Sequence, residues 1–159
     1  MIVYSFAWRR KEHSCCNIRL AKAAKRIALV SGSFRIVAQR TTAAVLQELG
    51  VKDVFVVKKR PGYEGSKDVT DQAAEVFRAE GITEVIPIAQ PLLQLTKCIQ
   101  LVRKAGFRTL SFWKLCRMIG WIGFDRKSVQ PWTRDPVRLV FHAFRQIFFG
   151  YQPPPELSE

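Results

Sequence analysis

The chain has 159 residues, 48% of them hydrophobic, which allows a sizeable core and excludes a chain disordered for want of apolar residues. Its 26 Lys and Arg against 13 Asp and Glu give a formal charge of +13. Such a field attracts nucleic acid, anionic lipid surfaces or phosphorylated ligands, and it is equally compatible with a solvated basic surface.

The first apolar stretch is followed, not preceded, by positive charge, so it reads as a strand over residues 2–8 and not as a signal sequence. Arg9, Arg10 and Lys11 fall at its carboxyl end. Asn17 is placed to cap a helix with Leu20, Ala23, Ala24, Ile27 and Val30 on one face. Arg19, Lys22, Lys25 and Arg26 fall mostly on the other, and Ser31-Gly32-Ser33 stops the helix. A second parse makes residues 26–30 a strand and Ser31-Gly32-Ser33 a phosphate-cradling turn. The helix is preferred because it keeps the 3.6-residue period unbroken. Residues 34–39 then form a buried strand, and Thr41 or Thr42 opens a helix that Gly50 closes.

Residues 53–57 are the third strand, ended by Lys58, Lys59 and Arg60, with a loop over residues 61–65. Asp68 caps a helix over residues 69–80 that buries Val69, Ala73, Val76 and Phe77 and stops at Gly81. The fourth strand spans residues 84–89, where Pro87 removes a ladder donor and argues against a fully paired central position, or marks a bulge. Pro91 suits the first turn of a helix through Leu95, Ile99 and Val102 to Gly106. Residues 108–113 are the fifth strand, and a short helix follows over residues 115–121. Asp135 caps a last helix with Val137, Val140, Phe141, Phe144, Ile147 and Phe148 on one side. Arg138, His142 and Arg145 lie on the other, and residues 151–159 are an extended proline-rich tail. This alternation predicts one α/β domain over residues 1–150. It is a Rossmann-like three-layer sandwich, with a mainly parallel five-stranded sheet and helices on both faces.

The first strand is followed by Arg19-Leu20-Ala21-Lys22-Ala23-Ala24 and by Leu46-Gln47-Glu48-Leu49-Gly50-Val51. Then come Val69-Thr70-Asp71-Gln72-Ala73, Ile88-Ala89-Gln90-Pro91 leading to Cys98, and Leu101 to Phe107. In these stretches, from residue 2 to residue 107, the pattern resembles the YdcF-like family. The family's Ser-Gly-Gly after the second strand would fall on Ala38-Gln39-Arg40, and its following acidic residue on the Thr41-Thr42 region. Its aromatic, His and Arg signature after the fourth strand would fall on residues 91–97, which hold neither His nor Arg. The resemblance thus implies the fold more than a shared chemistry.

In open α/β sheets ligands bind beyond the carboxyl ends of the strands, where helix N–H groups favour anions. Gln39, Arg40, Thr41 and Thr42 sit at such a junction; Arg9 and Lys59 follow neighbouring strands, and Gln90 and Gln94 follow the fourth. Together they are expected to line a basic cleft for a phosphorylated small molecule: a nucleotide, a sugar phosphate or a lipid-linked phosphate. No catalytic residue and no cofactor can be read from the chain, and whether it is an enzyme stays open. Ser5 or Ser111 as a nucleophile would need His13 or His142 as its base, and neither is well placed. The two histidines and the scattered Cys15, Cys16, Cys98 and Cys116 match no metal spacing. With no C-x-x-C pair, these are read as reduced cysteines of a cytoplasmic protein. No run reaches the roughly 18 apolar residues of a membrane span.

Two other partners fit the composition. Nucleic acid would use the charge, with Trp8, Trp113, Trp121 and Trp132 as stacking platforms, although aromatic residues are more often core. A homo-oligomer or a peripheral contact with the inner membrane would use Phe148, Phe149 and Tyr151, more apolar surface than one helix face can bury.

Overall fold

A computed structural model of the chain describes residues 1–7, 13–32, 35–58, 65–91, 93–128 and 130–149. The expectations for residues 8–12, for Lys59 and Arg60, and for the tail lie outside the described residues. Strand and helix alternate through β1 (Ile2–Val3), α1 (Cys15–Ser31), β2 (Ile36–Ala38), α2 (Arg40–Glu48), β3 (Val54–Val56) and α3 (Ser66–Ala79). They continue through β4 (Pro87–Ile88), α4 (Leu93–Lys104), α5 (Phe112–Ile119), a 3₁₀ turn at Pro131–Thr133, and α6 (Pro136–Phe149).

The four strands form a parallel sheet in the order β3-β2-β1-β4. β1 sits in the middle, with Ile2 opposite Val37 on one side and Pro87 on the other. Successive residues Ile2, Val3 and Tyr4, and likewise Ile36, Val37 and Ala38, are all buried. Side chains alternate across a strand, so both faces of β1 and β2 are covered, as the uninterrupted apolar runs require. α1 packs on α2, and α3 packs on α4. Phe77 of α3 and Phe107 meet edge to face, with ring centroids 6.0 Å apart.

The fifth strand does not form. Residue 108 makes one parallel bridge to Glu84, with Arg108 donating to the Thr83 carbonyl and Val85 donating to the Arg108 carbonyl. Ile2 and Tyr4 take the carbonyls of Ile86 and Ile88, so the nitrogens of residues 85 and 87 point away from β1. Pro87 therefore stands where the next donor to a fifth strand would be, and it has no N–H. Pairing ends there, and residues from Phe112 onward turn into α5. The expectation that Pro87 marks incomplete pairing is met, since β4 is an edge of the sheet.

α1, α2 and α3 start earlier than expected, whereas α4 starts at Leu93, so Pro91 precedes the helix and is not in its first turn. Ser14, not Asn17, caps α1, its hydroxyl accepting from the Cys16 amide. Gly65 precedes α3, leaving Asp68 in the first turn, where its charge still favours the helix. α2 begins at Arg40, with Gln39 in the cap position ahead of both threonines, and Gly50 follows with φ +83° as expected of a C′ residue. α1 runs unbroken to Ser31, so the strand-and-turn parse of residues 26–33 fails. Its buried face stops at Ile27; Val30, expected on that face, is 83% exposed.

Several cations serve the helices directly. Lys25 donates to the Leu49 carbonyl at 2.6 Å, Arg26 to Met118 at 2.6 Å and Arg78 to Ala105 at 2.8 Å. These carbonyls lie at the carboxyl ends of α2, α5 and α4, where unpaired C=O groups and the negative pole of the helix dipole favour a cation.

Pro87→Val supplies the missing outward N–H. The expected outcome is a fifth strand, read as protection of the new amide at residue 87 and slowed hydrogen exchange at the Leu110 amide, each new bond contributing about 0.5–1.5 kcal/mol. Exchange at Leu110 as fast as in the parent protein rejects this account.

Candidate binding site at the switch in strand order

The chain builds β1, β2 and β3 outward in one direction, then returns past β1 to place β4 on its other side. In open parallel sheets the crevice for a ligand opens at such a reversal, beyond the strands' carboxyl ends. Tyr4, directly after β1, is the last residue of this stretch whose amide joins the ladder, donating to the Ile88 carbonyl at 2.9 Å. From Ser5 onward, side-chain carboxamides take over.

The Ser5 amide donates to Gln39 Oε1 at 2.6 Å, and the Ser5 carbonyl accepts from Gln94 Nε2 at 2.8 Å. Asn17 Oδ1 accepts from the Phe6 amide at 2.9 Å, and Asn17 Nδ2 donates to the Ala7 carbonyl at 2.7 Å. The same device recurs at β3, where Gln72 binds both the amide and the carbonyl of Lys58 (2.9 and 2.7 Å). At the exit from β4, the Gln90 amide donates to Gln94 Oε1 at 3.0 Å. A carboxamide carries one acceptor and a donor group in peptide-like geometry. It can therefore satisfy a buried backbone that has no strand beside it.

A hydroxyl cluster completes the floor. Ser5 Oγ lies 2.5 Å from Thr41 Oγ1 and 3.3 Å from Thr42 Oγ1, and Thr42 Oγ1 also donates to the Gln39 carbonyl at 3.0 Å. The Gln39 side chain holds Ser5 and makes no cap hydrogen bond to the first turn of α2. The positive pole of that helix lies beside the cluster.

Gln90 stands apart. Its side chain is 1% exposed, and neither its oxygen nor its nitrogen has a hydrogen-bond partner. An unsatisfied buried polar group costs about 1–3 kcal/mol, so this amide is held at a disadvantage in the free protein.

Of the eight residues expected to line the cleft, Gln39, Thr41, Thr42 and Gln94 meet around Ser5, and Gln90 joins them through its backbone. Arg40 sits in the first turn of α2 with its side chain exposed. Arg9 and Lys59 lie outside the described residues. Three residues of the site were not anticipated in these roles. Ser5 was weighed as a nucleophile, Asn17 as a helix cap, and Gln72 not at all. Each had a signal: a polar residue breaking an apolar strand, a poor helix former inside a helix that already has a serine cap, and a glutamine within a buried stripe.

Chemically the cluster suits binding. The hydroxyl of Ser5 is partnered by two threonines, neither of which is a base. His13 pairs with Glu48 at 2.9 Å in a solvent-exposed contact. Burial pushes the Cys16 and Cys98 thiols up to about 12, which keeps them protonated and unreactive. All four cysteines are free, and no group of three His, Cys, Asp or Glu among the described residues could hold a metal ion. A recess of about 370 Å³ lies at the other edge of the sheet, lined by Lys25, Leu29, Gly32, Ile36, Val51 and Lys52, away from the predicted residues. Among the described residues, no helix is long and apolar enough to cross a membrane. No protein-family model matches the chain, and neither does any curated protein or solved structure.

Asn17→Ala leaves the Phe6 amide and the Ala7 carbonyl without their partner. A loss of about 1–3 kcal/mol is expected in urea denaturation, with faster hydrogen exchange at residues 6 and 7. Cys98 generates a pH prediction. Its folded-state value of about 12 exceeds the ordinary 9.0, so its contribution to stability is whole below pH 9.0 and drains away as the pH climbs toward 12. Urea midpoints taken across that interval should fall less steeply for Cys98→Ala than for the parent.

Proposed function

We propose that the protein binds a phosphorylated small molecule at the switch between β1 and β4: a nucleotide, a sugar phosphate or a lipid-linked phosphate. The observation that carries this reading is Gln90, a buried amide with both polar atoms unpaired beside the Ser5–Gln94 knot. A cost of this kind persists where a ligand or ordered water relieves it. First-turn amides of α2, which the Gln39 side chain does not cap, the Ser5, Thr41 and Thr42 hydroxyls and the exposed Arg40 supply the donors an anion needs. Arg9 and Lys59 would add charge from the neighbouring strand ends. The chain is read as a Rossmann-like, YdcF-like cytoplasmic protein whose polar signature has diverged. Among the described residues no base contacts Ser5, so the reading is one of binding, with turnover left open.

A second reading has its own observation. Trp113 and Trp121 are 80% and 71% exposed, where a core role was expected for aromatic residues. Exposed indoles on a protein of charge +13 suit single-stranded nucleic acid.

Thermal-shift measurements against nucleotides, sugar phosphates, inorganic phosphate and a single-stranded oligonucleotide separate the two. A phosphorylated small molecule at a hundred times its Kd should stabilise the protein by about 2.7 kcal/mol. Gln90→Leu should make the free protein more stable by about 1–3 kcal/mol while removing that response, and Arg40→Gln should weaken it. If no phosphorylated small molecule shifts Tm, or if both variants respond like the parent, the cleft is refuted. A response to the oligonucleotide alone, lost steeply with salt, transfers the function to nucleic acid.

A further inference from the structure

α6 turns its apolar stripe the wrong way for a core helix. Val137, Val140, Phe141 and Phe144 recur at helical spacing, and they are 73%, 49%, 76% and 56% exposed. Leu139, on the opposite side of the helix, is the buried one. The amphipathic face read from the sequence is real, but it points to solvent.

The base of the helix is rigidly held. Asp125 and Thr133 are joined amide to carbonyl at 3.0 Å, the Thr133 hydroxyl donates to Ser128 Oγ at 2.7 Å, and Arg134 Nε donates to the Ser128 carbonyl at 2.7 Å. Asp135 caps the first turn, accepting from the Arg138 amide at 2.9 Å. Trp132 stacks on His142 at 4.4 Å between ring centroids. Held by these contacts, the helix presents its stripe as a surface.

Charge selects what the surface meets. From residue 125 to residue 149 the basic residues are Arg126, Lys127, Arg134, Arg138 and Arg145, against Asp125 and Asp135, a net of +3, with Arg138 also pairing with Asp135 at 3.2 Å. Arg126, Lys127 and Arg138 are exposed. We propose that α6 docks this protein on an anionic lipid bilayer, lying in the interface with Val137, Val140 and Phe141 in the acyl region and the cations among the headgroups. Helices that lie in membrane interfaces combine an apolar face with Lys and Arg flanks in this manner. A second copy of the chain is disfavoured as the occupant, because each protomer would bring a charge of +13 to the contact. Nucleic acid would satisfy the cations and leave the valines and phenylalanines in water. The inference is independent of the phosphate cleft, since it uses none of that cleft's residues.

The test is co-sedimentation of the full chain with vesicles of phosphatidylglycerol and phosphatidylcholine, beside vesicles of phosphatidylcholine alone. Binding to the anionic vesicles is expected, with at least about tenfold weaker binding to the neutral ones and release at about 1 M salt. Phe141→Glu should weaken binding about tenfold or more, and Phe141→Leu should retain it. Because Phe141 is exposed, both variants should keep the parent's circular dichroism and Tm. Equal binding by Phe141→Glu overturns the proposal, since adsorption would then be charge alone. So does an absence of binding to anionic vesicles at low salt, or a dimer in sedimentation velocity that Phe141→Glu dissociates while lipid binding is absent.

Discussion

The backbone from Ser5 to Ala7 is held from three directions, and much of the molecule is arranged to hold it. A central strand that leaves its sheet must find partners for every amide and carbonyl it carries inward. Here the partners are side chains: Gln39 from the start of α2, Gln94 from α4, and Asn17 from α1 for the next two residues. Three helices are thereby pinned to the end of one strand. That constraint fixes how closely the openings of α2 and α4 approach each other, and so sets the dimensions of any crevice between them.

Against this background Gln90 is informative. Four carboxamides in this region, those of Asn17, Gln39, Gln72 and Gln94, complete a backbone; the fifth has nothing to complete. Gln90 is as deeply buried as Asn17 and Gln72, while Gln39 and Gln94 are half-buried, so its unpaired amide is a cost that packing alone does not offset.

The run of strands and helices was legible in the apolar periods, because burial on both faces leaves an unmistakable pattern in residues such as Ile2 to Tyr4 and Ile36 to Ala38. Gly50 could be recognised as a stop because its left-handed backbone is set by local chemistry. The missing fifth strand was not legible, since it depends on which way the nitrogen of Pro87 faces, and that follows from strand order. Nor was the work of Asn17, whose partners lie 10 or 11 residues away. Periodicity reported an amphipathic α6 but not the direction of its apolar side, which only packing decides. The positive charge misleads most. Lys25, Arg26 and Arg78 close helix ends, and Arg35 pairs with Glu80 at 3.0 Å, so a share of the excess is structural.

Pro87 also bears on how this molecule behaves in a crowded solution. An open sheet margin with a regular row of donors invites a strand from a neighbouring chain, the first step toward fibrils and domain exchange. At β4 that row is interrupted by a ring nitrogen, and its one bridge is already taken by residue 108. The sheet is thus sealed on this side against edge-to-edge growth.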